Sequence, residues 1–183
     1  MNRFAHAHAV VVLAALTAIA GCSAPVPTQH KVSSLQTEVT LALRDVKIED
    51  PGLKDWIEDS YGYAVFPVVG KGGIGIGGAY GQVLVYEQGK VIGTSAITQG
   101  TIGFQLGGQT YRELIFFENK QALDDFTNGE FEFAAQVSAV AITAGASADA
   151  SFENGMAIFT VEIGGLMYEA SVGGQKFSFT PID

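Results

Sequence analysis

Cysteine and histidine are nearly missing from this chain. Its 183 residues include one Cys and three His, and two of those His, His6 and His8, fall in the first ten positions. A single Cys excludes an internal disulfide framework and a thiolate-rich zinc site. With His30 alone beyond those ten positions, neither a Ser/His/Asp triad nor a His-based metal centre has a middle to be built around. Charge is scarce as well, at 16% of residues, and one-sided: 10 Lys plus Arg against 19 Asp plus Glu, for a formal charge of −9. That balance argues against a phosphate-tracking nucleic-acid binder and weakens attraction to anionic lipid. No G-x-x-x-x-G-K-[ST] loop and no D-x-[DN]-x-[DN]-G loop occurs. The expectation is a protein without catalysis, metal or cofactor. What the chain does have is 48% hydrophobic residues and 23 Gly, of which 14 lie within residues 62–108. That apolar share is enough for a folded domain.

The amino terminus reads as an export and attachment signal. Arg3 gives a basic start, residues 9–20 form an apolar run broken only by Thr17, and the run ends in Ile19-Ala20-Gly21-Cys22. The run is too short to span a bilayer comfortably and fits a secretory leader. Its end resembles the lipobox of bacterial lipoproteins, in which the Cys becomes the acylated first residue. Residues 1–21 are thus expected to be a signal peptide, Cys22 the lipidation site, and residues 22–32, with Pro25 and Pro27, a tether. Loss of Arg3 with the leader takes the charge from −9 to −10. Ser23 stands where an inner-membrane retention signal would usually show Asp, so the resemblance implies the periplasmic face of the outer membrane, with palmitate-type acylation.

The remaining residues, 33–183, read as one domain with no internal boundary. Ser33 or Ser34 can cap a helix whose apolar positions Leu35, Val39, Ala42, Leu43 and Val46 recur at steps of three and four. Asp50-Pro51 starts a second, short helix carrying Leu53, Trp56 and Ile57. From Tyr61 the period becomes two: short strands are expected at 63–66, closed by Pro67, then at 83–86, 91–99, 102–105 and 111–117, with a turn at 87–90. Asn119 caps a helix ended by Asn128-Gly129. A strand-like stretch follows from Phe131 to about Ala144, and Asn154-Gly155 turns into the final strands. This pattern predicts an α+β, β-rich fold: a strongly curved antiparallel sheet or small barrel, with N-terminal amphipathic helices and one inserted helix.

Gly70, Gly72 and Gly75 fit G-x-G-x-x-G, yet Gly73, Gly75 and Gly77 alternate with Ile74 and Ile76 as a strand would, rather than opening a helix toward a pyrophosphate. Such a run costs strand stability and needs tight bending or a close neighbour to justify it. Gly73, Gly75, Gly77, Gly107 and Gly108 are therefore expected to be structural, with packing against the glycine face. A partial repeat, G-G-x-x-aromatic at Gly107, Gly164 and Gly173, points to aromatic rings lying over neighbouring glycines.

Four blocks occur in order: Tyr61-Gly62-Tyr63-Ala64-Val65-Phe66-Pro67, Gly72-Gly73-Ile74-Gly75-Ile76-Gly77-Gly78-Ala79-Tyr80-Gly81, Gly103-Phe104-Gln105-Leu106-Gly107-Gly108-Gln109 and Gly165-Leu166-Met167-Tyr168. Together they resemble the SYLF domain, a lipid-binding module of bacterial lipoproteins that also occurs in eukaryotic signalling proteins and in fungal actin regulators. The resemblance implies a β-rich domain without catalysis whose partners are membrane lipids. In some relatives a Lys-rich amphipathic N-terminal helix recognises phosphoinositides. Here the matching helix has only Arg44 and Lys47 against Glu38 and Asp45, so that specificity does not carry over. The candidate lipid contacts are the apolar face Leu35, Val39, Leu43 and Val46, with Lys31, Lys47, Lys54 and Trp56 near headgroups. The same face has a second reading, as core packed on the sheet. The expected function is a non-catalytic, membrane-binding lipoprotein. The alternatives are a structural or adaptor protein held to the membrane only by its acyl chains, and a small transmembrane barrel, which the tether and a C-terminus without a terminal aromatic argue against.

Overall fold

A computed structural model describes residues 29–129 and 139–182, leaving aside the side chains of 103–105 and 166–175. The leader, Cys22 and most of the tether lie outside the described residues, as does most of the strand-like stretch from Phe131. The elements are α1 (Gln29–Glu49), α2 (Leu53–Asp59), β1 (Gly62–Glu87), β2 (Lys90–Phe117), α3 (Lys120–Thr127), β3 (Ala139–Ala141) and β4 (Met156–Pro181), with a 3-10 turn at Ala146–Ala148. Helix α1 starts before the expected cap: Ser33 lies inside it and donates its hydroxyl to the Gln29 carbonyl at 2.9 Å. His30, Lys31 and Val32, the end of the expected tether, are therefore already helical.

The local signals act where expected. Gln88 and Gly89, both at positive φ, make the two-residue hairpin turn between Glu87 and Lys90. Asn119 accepts the Ala122 N–H at 3.1 Å and starts α3, and Asn154-Gly155 turns the chain into β4.

The short strands expected from the sequence are joined in the structure. β1, β2 and β4 run 26, 28 and 26 residues. A usual strand is about 5–6 residues long, so these are several times the norm. They stay paired over that distance because each bends at its glycine-rich middle. Pro67 does not end the first strand; it sits in β1 at the register shift between Phe66 and Val69. β1 folds back until its two arms are neighbours: the Gln88 N–H donates to the Tyr61 carbonyl at 3.0 Å, and the rings of Tyr63 and Tyr86 stack at 4.6 Å. β2 follows outside β1 and β4 outside β2, in a nested set of three bent strands.

The hydrogen-bonded order is β1-β2-β4-β3. β1, β2 and β4 pair antiparallel, but β3 pairs parallel to β4 through Ala139↔Ile158, so the sheet is mixed rather than purely antiparallel. Strong curvature is present and closure is not: among the described residues the sheet stays open, and the small-barrel alternative is set aside.

Both faces of the paired arms are covered. On one, Phe66, Val83, Ile97, Ile115, Phe117, Ile158 and Phe177 pack together with Leu123 and Phe126 of α3. On the other, Val65, Leu84, Leu114, Phe116 and Phe159 pack under Leu35, Val39, Ala42 and Val46 of α1 and Leu53 of α2. Strands covered on both sides read as near-continuous apolar runs, and Tyr63-Ala64-Val65-Phe66 and Leu114-Ile115-Phe116-Phe117 are such runs.

Candidate lipid-contact site

The apolar face of α1 is core. Leu35, Val39 and Val46 are 8%, 0% and 1% exposed, and Leu43 is half-buried beside them. The expected lipid face is occupied by the sheet, because the stripe meets the apolar runs of the strands. Asp45 fixes this docking from the helix side, accepting from Arg112 of β2 at 3.1 Å and from Arg44 at 2.9 Å. Lys31 and Lys47 are exposed, Lys31 one turn beyond Leu35 at the start of the buried stripe.

Trp56 is half-buried against the same core. Its ring packs between Phe116, Phe152 and Phe159, with centroids 5.6, 4.9 and 5.1 Å away, and its Nε1–H donates to the Ser147 carbonyl at 3.1 Å. Beside it lies a hollow of about 200 Å³ bounded by Asp55, Asp59, Ser60 and Phe152. Two carboxylates at that rim disfavour a phosphate headgroup. Lys54 turns toward Glu58 at 3.8 Å.

Two further carboxyl groups are held in place by the fold. Asp50 is 1% exposed; burial opposes its ionisation, but hydrogen bonds from Ser147, Gly52 and Gly145 outweigh that and hold its pKa below the ordinary value. It takes the Ser147 N–H at 2.7 Å and the Gly52 N–H at 3.1 Å, tying the α1–α2 corner to the 3-10 turn. Glu113, 3% exposed on β2 opposite Phe66, is pushed up to about 7 by burial, and its Oε1 has no hydrogen-bond partner among the described residues. Among the described residues no three His, Cys, Asp or Glu converge on a metal position.

The region that sequence reasoning undervalued is the bend. Three of the four family-like blocks fall on it: residues 72–81 of β1, 103–109 of β2 and 165–168 of β4. Gly72↔Gly108, Gly73↔Gly107 and Gly78↔Gly100 pair across β1 and β2, and Gly100↔Gly174 continues the row into β4. The inner strand turns most sharply. A Cβ on Gly73 would collide with Gly77 Cα and lie 2.6 Å from the Ile76 carbonyl oxygen, so this glycine answers to close backbone approach. Gly75 departs from the expected packing: nothing lies within 4 Å of its Cβ position, and its φ of +71° is what requires glycine. Gly107 has φ +123°, and a Cβ on Gly108 would lie 3.4 Å from the Lys71 carbonyl oxygen. An aromatic does cover a glycine elsewhere, where Phe179 lies on Gly93.

This corner displays side chains that the rest of the sheet buries. Ile74, Ile76, Ile102 and Leu106 are 79%, 73%, 73% and 57% exposed, in two cross-strand pairs, Ile74↔Leu106 and Ile76↔Ile102. Tyr80, also exposed, takes a hydrogen bond from Gln82 on its phenol oxygen at 3.2 Å. Nearby lies a shallow hollow of about 460 Å³ edged by Lys71, Gln109, Thr110 and the glycines between them. The signal was present in Gly73-Ile74-Gly75-Ile76-Gly77: if glycine bends the strand, the isoleucines of that bend are left on its outside. Among the described residues no helix is long and apolar enough to cross a membrane.

Comparison with known proteins bears on this architecture. Residues 98–180, from the first half of β2 almost to the end of β4, match the Ysc84 family, described as Las17-binding protein actin regulator. The chain is also similar to Beta cell expansion factor A of Aeromonas veronii, at 26% identity over 153 residues, covering 79% of this chain and 55% of that protein. The chain thus spans about half the length of that curated relative. Two of the blocks at the bends, 103–109 and 165–168, lie within the matched residues, and the match supports the resemblance to the SYLF family, which is associated with lipid binding.

Proposed function

We propose that this protein is a bacterial lipoprotein, acylated at Cys22 and held at the periplasmic face of the outer membrane, whose SYLF domain binds lipid and carries out no catalysis. The observation that carries the reading is the coupling of Ile19-Ala20-Gly21-Cys22, at the end of a short apolar leader, to a domain of a lipid-associated family. Acyl chains add about 0.8 kcal/mol of membrane affinity per buried methylene, so a multiply acylated terminus stays in its bilayer. The scarcity of His and Cys supports the absence of catalysis, since a site normally needs a positioned base, nucleophile or metal. The actin link in the description of the matching family is not carried over, because actin is foreign to a bacterial periplasm.

Two measurements test the reading. Cys22→Ala should abolish acylation and release the protein from membrane fractions with its fold intact; retention in carbonate-washed outer membranes would count against the anchor. The released Cys22→Ala protein should still float with vesicles of phosphatidylethanolamine and phosphatidylglycerol. Failure to float would reduce the domain to an adaptor whose membrane contact is the anchor alone.

A further inference from the structure

We propose that the bent corner of the sheet is the element that enters the bilayer, with Ile74, Ile76, Ile102 and Leu106 inserted to the depth of the headgroup and upper acyl region. This inference rests on the lipid-binding reading and adds to it where, and by what chemistry, contact is made.

Four observations converge on a lipid surface as the occupant. First, the four aliphatic side chains are more than half exposed, while the aliphatic side chains of the arms of the same strands are almost all covered. Second, the β1 and β2 strands that carry the four aliphatic side chains are electrically neutral in an otherwise acidic molecule: no charged residue occurs from 72 to 86 or from 91 to 111, and the acids nearest the bend, Glu162 and Glu169, lie on β4. An acidic protein approaches an anionic bilayer best by the part that carries no acid. Third, the corner is flanked by Lys71 and Tyr80, a cationic and an amphipathic side chain of the kind that sits at headgroup level beside an inserted apolar tip. Fourth, the corner is a narrow turn with glycine on either side of each aliphatic pair. A stable protein interface takes about 800 Å² from each partner, with a polar rim that fixes register. Among the described side chains, four aliphatic groups set among glycines offer neither the area nor the rim, whereas a fluid bilayer demands no shape match.

The backbone sets the depth. β2 and β4 remain paired through 103–105, but β1 opposes those three residues with Gly75 alone. Backbone groups in such a mismatch are tolerated where water reaches and are costly in hydrocarbon. The corner therefore seats at the interface and does not cross it, as amphipathic elements do. The chain from 22 to 28, between the acylated Cys and α1, reaches at most about 25 Å when extended. A tether of that length keeps the domain at high effective concentration next to the membrane, so a modest insertion is enough to hold the corner there.

The test uses the acyl-free Cys22→Ala protein and vesicles of phosphatidylethanolamine and phosphatidylglycerol at 3:1. The parent should float with vesicles. Ile74→Ser/Ile102→Ser, which takes one residue from each cross-strand pair, should bind at least tenfold more weakly with an unchanged melting temperature. Because Cys22→Ala removes the one natural thiol, Ile102→Cys can carry a single polarity-sensitive fluorophore. Its emission should shift to the blue on addition of vesicles and be quenched by lipids brominated near the headgroup. A label at Lys47→Cys on α1 should do neither. If the parent floats and the double variant floats equally well, the corner is not the contact, while the lipid-binding reading stands. If the parent does not float at all, both fall. Sedimentation without lipid provides the remaining arm: a parent dimer that the double variant converts to monomer would show that the corner meets a second copy, and would overturn the proposal.

Discussion

The arms and the corner of the sheet are made from the same three strands and obey opposite rules. In the arms, helices or strands cover both faces, and aromatic side chains such as Phe116, Phe117 and Phe159 are fully buried. At the corner, small residues remove the bulk that packing would use, and Ile74, Ile76, Ile102 and Leu106 are exposed. The difference teaches that strand continuity and core formation are separable: backbone pairing carries the chain through the bend where side-chain burial does not. Stability should therefore reside in the arms, and substitution at the corner should be felt in binding more than in folding.

The largest effect should come from the arms. Phe159 meets Phe116 edge-on at 5.6 Å and Trp56 at 5.1 Å. Phe159→Ala should therefore cost about 3–5 kcal/mol in urea unfolding. A loss under about 1 kcal/mol would mean that the helix-covered face is not part of the cooperative core.

Glu113 sharpens the comparison through pH. Its folded pKa lies at about 7 against an ordinary 4.5, so the native state holds the proton more tightly than the unfolded chain. Its contribution is at its most favourable below the unfolded value, declines as pH rises toward the folded one, and is flat above. Glu113→Gln should raise stability by up to about 3 kcal/mol at about pH 8 and leave it nearly unchanged at about pH 4. An equal change at both values would show that the carboxyl does not titrate within the fold. Asp50 acts in the other direction: its pKa is depressed, so its contribution is present above the ordinary carboxylate range and is lost as pH falls through the depressed value.

At the corner, the Gly75 backbone has φ +71° with open space around its Cβ position. A side chain is disfavoured in that conformation whatever the room, so Gly75→Ala should cost about 1–2 kcal/mol in the same unfolding experiment. Gly75→Asn should cost less, since Asn tolerates that conformation. A Gly75→Val loss several times larger than that of Gly75→Ala would reveal crowding that the open surroundings do not suggest. Ile74, at 79% exposed, has little packing to lose. Smallest of all, Ile74→Ser should change the unfolding free energy by no more than about 0.5 kcal/mol.

Legibility in the sequence followed the range of the interactions involved. Asn119, Asn128-Gly129, Gln88-Gly89 and Asn154-Gly155 act through hydrogen bonds and dihedral preferences within a few residues, and each marks the element boundary expected of it. The helix face was visible as a stripe at 35, 39, 42 and 46, but whether it met sheet or membrane depended on strands elsewhere in the chain. Strand continuity was hidden because a glycine bend and a glycine turn look alike until the neighbouring strands are seen bending with them. The mixed sheet was hidden for a related reason, since the short β3 finds its parallel partner, Ala139 with Ile158, beyond an intervening loop. Ile74 and Ile76 looked like ordinary strand residues alternating with a packed glycine face. Hydrophobicity signals that a side chain avoids water, and not which apolar medium receives it.

The nesting of the strands also gives the chain an order of assembly. Tyr61 and Gln88 meet at the base of β1, so the innermost unit can close using β1 and its flanks alone. β2 can then settle on its outer edge, and β4 on that of β2, each finding a finished template as it is synthesised. Pairing can then zip away from each connection, so that distant partners such as Gly62 and Phe117, or Gly93 and Pro181, are brought together stepwise rather than by a chance meeting, the step that slows most β-rich folds. It also leaves the final strand with the greatest responsibility. Ile158 and Phe177 arrive last, and until they do, the trough formed by Phe66, Phe117 and Phe126 stands open to any other chain that reaches it first.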